Sequence, residues 1–201
     1  MLAPWEHEAA LAYGPAFPPG YRATRAELTW ALEALRFHPL LVHEAERFIR
    51  ESLPRPFVAV HLRMWDNINC LNYPNSSDAN CFPSNENLDQ AMARARSVLE
   101  YASVFLATDG TRFSRDWHMI EEHRAHVYEQ PLLRKAAHSA FAAVVDMLIC
   151  TEADLFIGTI HSSFSLHIQQ MRAILGRHSP HDDVIVRDSR IKWLFDDWWR
   201  M

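Results

Sequence analysis

The chain has 201 residues, enough for one domain with a sizeable core. Its composition, 49% hydrophobic and 22% charged, is that of a globular protein, and a net charge of −5 with a pI near 6.2 argues against a nucleic-acid partner held by a general basic face. No apolar run reaches transmembrane length, Met1-Leu-Ala-Pro-Trp5 lacks the basic flank of a signal peptide, and five glycines exclude a glycine-rich phosphate loop of the usual kind.

Residues 1–22 are rich in proline, alanine and aromatics, with Pro15, Pro18 and Pro19 close together, and read as an irregular lead-in that packs on a neighbour. Thr24-Arg-Ala-Glu27 is a capping box, and Leu28, Leu32 and Leu35 follow at helical spacing, which predicts a helix over 24–36. A second helix is expected over 40–52, stopped by Pro54. Phe57-Val-Ala-Val-His-Leu-Arg63 is short, apolar and β-branched, and reads as a buried strand of a parallel sheet. The segment 64–86 reads as a loop. In it Cys70 and Cys81 bracket a polar stretch, either as a disulfide or, lacking CxxC spacing, as part of a weak zinc site. Asn75-Ser-Ser77 matches the N-glycosylation pattern.

Leu88, Met92, Ala95 and Leu99 give an amphipathic helix over 87–101. A strand over 103–109, a helix over 112–124, a short strand over 125–128 and a helix over 136–153 follow, the last carrying Cys150 as a reduced core residue. Leu155-Phe-Ile-Gly-Thr159 is a further buried strand. Ser162 or Ser163 then caps a helix with Phe164, Ile168, Met171 and Leu175 at its apolar positions and Gly176 at its end. Val184-Ile-Val186 reads as an edge strand, and Trp193, Leu194, Trp198 and Trp199 as a packing stripe. Strands and helices alternate from 57 to 176, the pattern of an α/β, Rossmann-like parallel sheet with helices on both faces. The expected organisation is a lead-in with two helices over 1–54, the Rossmann-like domain over 55–180 and an aromatic tail over 181–201.

In such sheets ligands bind at the carboxyl edge. His61 and Arg63 sit two apart there, on one side of the strand, and an arginine offers a planar charged fork suited to phosphate. Asp109 ends the second long strand. Ser162 and Ser163 start a helix whose unpaired N–H groups and positive dipole end attract anions. Asp146 lies in an apolar helix, where a carboxylate needs a partner; it suits the N–H edge of a guanine. Each has a plainer reading: Arg63 paired with a structural carboxylate, the serines as helix caps, Asp109 as a turn residue, Asp146 in a salt bridge, His61 structural.

Pro56-Phe-Val-Ala-Val-His-Leu-Arg63, Phe105-Leu-Ala-Thr-Asp109 and the block from Val145 to Ser165 resemble, in order, the motifs of the protein O-fucosyltransferases, nearest to the enzymes that fucosylate EGF-like repeats. The similarity spans about residues 55–176, the C-terminal, nucleotide-sugar half of a GT-B glycosyltransferase. It implies an inverting transfer of fucose from GDP-fucose to Ser/Thr of a small disulfide-rich domain, with Arg63 on the diphosphate and no metal or other cofactor. It also implies that His61 supports that site, that Asp146 reads guanine, that Asp109 lines the nucleotide pocket, and that Ser162, Ser163 and Phe164 close over phosphates and sugar. Cys70 and Cys81 resemble a disulfide pair of the family, which implies the endoplasmic reticulum lumen, although no signal peptide or retention tetrapeptide is seen. Because the family's first domain is not matched, the chain is expected to be part of a longer protein or a half-enzyme. The alternative is a non-catalytic module that binds GDP-sugar or works through its aromatic surfaces.

Overall fold

The structure is a computed structural model that describes residues 36–63, 84–108, 114–128, 140–159 and 162–185, all within one compact unit, 36–187. The expected helix over 24–36, Cys70, Cys81, Asn75, Asp109 and the tryptophan tail lie outside the described residues, apart from Arg36.

Helix α1 spans Pro39–Ser52. Pro39 suits the first helical position because its φ is preset and the missing N–H has no helical partner there, while His38 caps the turn through Nδ1, which accepts from Leu40 N. Pro54 ends it. Strand β1, Phe57–Leu62, is buried along its whole length. Helix α2, Asn85–Val98, starts two residues before the expected residue 87, because Ser84 and Asn87 form a reciprocal capping box. It also ends earlier than expected: Leu99 caps it and Tyr101 turns the chain with a φ of 61°. Strand β2 is Ser103–Thr108 and helix α3 Ser114–Glu122. Helix α4, Ala140–Glu152, leads through the two residues Ala153 and Asp154 into β3, Leu155–Thr159. Helix α5, Ser163–Ile174, ends at Gly176, whose φ of 67° suits a residue without Cβ. Strand β4 is Asp183–Ile185.

The described strands form a four-stranded sheet in the order β2-β1-β3-β4, every neighbouring pair parallel. Beyond β2, the strand expected over 125–128 shrinks to a single bridge at His126. His126 donates to Val104 O and accepts from Leu106 N, both at 2.8 Å. The preceding Arg124, with a φ of 54°, turns the chain sharply into that bridge.

Both sheet faces are covered, as a parallel sheet requires. Val58, Val60 and Leu62 alternate onto one face, with Val104, Leu106 and Ile157, beneath Leu88, Ala91, Met92 and Ala95 of α2 and Met119 of α3. Phe57 and Ala59 alternate onto the other, with Phe105, Ala107 and Phe156, beneath Ala45 of α1, Val145 and Ile149 of α4 and Ile168 of α5. Helix α4 is apolar nearly all round, which fits a helix packed against the sheet, α1 and α5 at once. From β1 the chain goes first to β2 on one side and later to β3 on the other. The strand order therefore reverses between β1 and β3, and the crevice outside their carboxyl ends is where sheets of this kind take ligands.

A network fixes α5 against this frame. Arg172, fully buried, donates twice to Asp182 at 3.0 Å and also to the carbonyls of Cys150, Thr151, Ala153 and Arg177. It thereby satisfies the open carbonyls at the C-terminus of α4, where a cation also meets the negative end of the helix dipole. Asp182 in turn accepts from Phe156 N at 2.8 Å, which ties the start of β3 to the segment leading into β4.

Candidate functional site at the carboxyl edge of the sheet

The β1/β3 ladder pairs Val58–Val60 with Leu155–Ile157 and stops short of the strand tips. There Thr159 takes over. Its hydroxyl donates to His61 O at 2.6 Å and accepts from Arg63 N at 3.1 Å. This side-chain stitch fixes the backbone of Arg63, the half-exposed residue just past β1, beside the end of β3.

The chain then turns into α5. Ser162 is the N-cap: its hydroxyl accepts from Ser165 N, and its carbonyl accepts from Leu166 N at 3.0 Å. One turn in, Ser165 points back under the strand tips. Its Oγ accepts from Thr159 N at 2.9 Å and lies 2.7 Å from His61 Nδ1. Gly158 permits this approach, since a Cβ there would sit 2.9 Å from Ser165 Cβ and 3.1 Å from Phe156 Cε1. The Phe164 ring lies against the His61 imidazole, centroids 4.7 Å apart.

Electrostatics follow from this packing. Burial, and then the Arg63 guanidinium, lower the His61 pKa to about 3, so the imidazole is neutral. Thr159 N donates to Ser165 Oγ, which also shares a hydrogen bond with His61 Nδ1.

The structure thus brings His61, Arg63, Ser162, Ser163 and Phe164 to one strand edge, with Ser162 buried and Ser163 exposed. Asp146 is on α4, where its charge opposes ionisation of Cys150 and Tyr128, both raised first by burial. Cys150 is a free, buried thiol, as expected. A cavity of about 680 Å³ lies at the opposite edge, lined by Ser52, Pro54, Ser103 and Arg124 among others, away from these residues. Sequence reasoning missed Thr159, Ser165 and Gly158. The available signal was a Gly-Thr pair at a strand end with a serine six residues on.

Known proteins match this chain in three ways. The family model for GDP-fucose protein O-fucosyltransferase matches residues 12–175. GDP-fucose protein O-fucosyltransferase 2 of Drosophila melanogaster is 29% identical over 142 residues, 66% of this chain and 26% of that protein. A crystal structure of POFUT1 in complex with GDP superposes with a TM-score of 0.60 and 21% identity, over 83% of this chain and 51% of the other. NodZ alpha-1,6-fucosyltransferase, soaked with GDP-fucose, gives a TM-score of 0.54 and 12% identity, over 75% of this chain and 48% of the other. The structural likeness speaks for the fold, the Rossmann-like sheet expected from the sequence. The chain spans about half the length of these solved structures and about a quarter of the Drosophila protein.

Proposed function

The chain belongs to the GDP-fucose protein O-fucosyltransferase family, and from that premise we propose that its β1/β3 edge grips the diphosphate of GDP-fucose for transfer of the sugar to a protein hydroxyl. The observation that carries this reading is the knot of hydrogen bonds joining His61, Arg63 N, Thr159 and Ser165, next to the capped N-terminus of α5. Solved neighbours of the same fold bind GDP or GDP-fucose, which supports the choice of ligand.

In this reading an acceptor Ser or Thr hydroxyl attacks the fucose anomeric carbon from the side opposite the phosphate. The C–O bond to the diphosphate breaks, the new C–O bond forms with inversion, and the hydroxyl proton is released. Negative charge builds on the departing GDP. Arg63 meets it with a permanent charge, His61 with its imidazole, and Ser162 and Ser163 with hydroxyls at a positive helix end. Donors held in place before the reaction lower its barrier most. Phe164 covers the sugar side, Asp109 lines the nucleotide pocket and Asp146 reads the guanine N–H edge. The charge is met by side chains, so the transfer step asks for no divalent metal. The acceptor is a small disulfide-rich, EGF-like domain, and the compartment is the endoplasmic reticulum lumen, where Cys70 and Cys81 pair and Asn75 carries a glycan.

The test is incubation of the purified chain with GDP-fucose and a folded EGF-like domain, read by mass spectrometry. A mass gain of one deoxyhexose on the acceptor is expected. GDP-fucose binding without transfer would support the alternative, a GDP-sugar-binding module. Absence of GDP binding refutes both.

A further inference from the structure

Helices α2 and α3 share the face of the sheet where Leu88, Met92 and Met119 are buried. Three side chains of another kind stand on or at the end of these helices. Asp89 follows Leu88, His118 precedes Met119, and His123 follows the last residue of α3. They converge. The Nε2 atoms of His118 and His123 lie 2.7 and 2.8 Å from the same oxygen, Asp89 Oδ1. One ligand atom from each residue falls within 4.8 Å of the other two. The two rings meet edge to face, centroids 5.5 Å apart.

We propose that Asp89, His118 and His123 form a binding site for a divalent transition metal of the zinc class, which clips α2 to α3. Two imidazole nitrogens and one carboxylate oxygen suit zinc, cobalt or nickel, whereas magnesium and calcium prefer all-oxygen sites. With metal–ligand distances of about 2.0–2.1 Å in a tetrahedron, neighbouring ligand atoms stand about 3.3 Å apart. The observed 2.7 and 2.8 Å contacts therefore open by roughly half an ångström on loading. The exchange balances for neutral imidazoles: two N–H···O bonds are lost, each ring proton moves from Nε2 to Nδ1, and three metal–ligand bonds form. The Asp89 side chain is 51% exposed and that of His123 is 7%, so the site is anchored inside and opens outward, where water takes the fourth position.

The orientation of His123 adds a second observation. Its Nδ1 is buried and has no hydrogen-bond partner among the described residues. Buried polar atoms are normally paired. Here the ring is held with Nε2, the ligating atom, toward Asp89, and Nδ1 is the atom left to carry the ring proton in the loaded state. The site lies on α2 and α3, away from the strand tips, and stands independently of the sugar-transfer reading.

The test uses the full chain, stripped with chelator, then titrated with zinc by calorimetry and with cobalt in the visible range. One equivalent of each is expected, cobalt showing d–d bands without a thiolate charge-transfer band, and zinc raising the melting temperature while magnesium does not. Losing an outer-sphere partner of a metal site costs 10–100-fold in affinity, so losing a direct ligand in His118→Ala or Asp89→Asn should cost at least about tenfold. His181→Ala, at an exposed histidine outside the cluster, should bind like the parent. Circular dichroism checks that each variant is folded. No stoichiometric zinc binding, equal binding by parent and His118→Ala, or a thiolate band overturns the proposal.

Discussion

Replacing Ser165 by alanine removes a single oxygen from the strand tips, and the structure says what that oxygen holds. Ser165 is 2% exposed, and its Oγ serves both His61 Nδ1 and Thr159 N–H, themselves buried. Truncation strands two buried polar groups, each costing about 1–3 kcal/mol, so the loss of stability should be roughly 2–6 kcal/mol. The functional consequence is separate. Without Ser165 the imidazole loses its hydrogen-bond partner at Nδ1, and the ring is no longer held in place. A hydrogen bond to a charged phosphate is worth about 1.5–3 kcal/mol, so GDP affinity should fall about ten- to hundredfold. Urea unfolding gives the first quantity and calorimetry the second. Ser165→Ala should have little further effect on GDP affinity in a His61→Ala background, because the two act as one unit. A stability loss under about 0.5 kcal/mol with unchanged GDP affinity would refute the reasoning, since surface-like substitutions already vary by that much.

Arg172→Met leaves Asp182, whose side chain is 1% exposed, as a buried carboxylate without its arginine. The expected loss is about 3–5 kcal/mol in urea unfolding, and a loss under about 1 kcal/mol would mean the network is not what fixes α5. For His61 the folded pKa, about 3, lies below the ordinary value of 6.5. Between those values the unfolded chain binds the proton and the folded chain does not, so stability rises with pH across that window. The full contribution is present above the unfolded value and is lost as pH falls, by about 1.4 kcal/mol per pH unit. Stability against pH, measured by urea unfolding, should show a slope smaller by about one proton in His61→Asn. An unchanged slope would show that His61 is not buried neutral.

The sheet was legible because its signal is local. Apolar runs such as Phe57–Leu62 and Leu155–Thr159 match a strand buried on both faces, and the pattern located both within a residue. Helix boundaries were less legible at α2, where the Ser84 capping box outweighs the apolar spacing. The strand expected over 125–128 failed because apolar residues at Ala125 and Tyr128 are buried without a ladder: His126 alone pairs with β2. At the site, His61, Arg63 and Ser162 were visible through their positions at strand and helix ends. Thr159 and Ser165 were not, because their roles are long-range hydrogen bonds: Ser165 to His61 spans 104 residues. Arg172 was hidden for a similar reason. Between Met171 and Ala173 it looks like an ordinary helix-surface cation, and its burial is created by Asp182 and the end of α4.

The most direct measurement is calorimetric titration of GDP into the parent chain and into Arg63→Ala, with circular dichroism confirming that both are folded. The account places the Arg63 guanidinium on the diphosphate, and a charged hydrogen bond of about 1.5–3 kcal/mol predicts affinity weaker by about ten- to hundredfold in the variant. Equal affinity in the two proteins would contradict it.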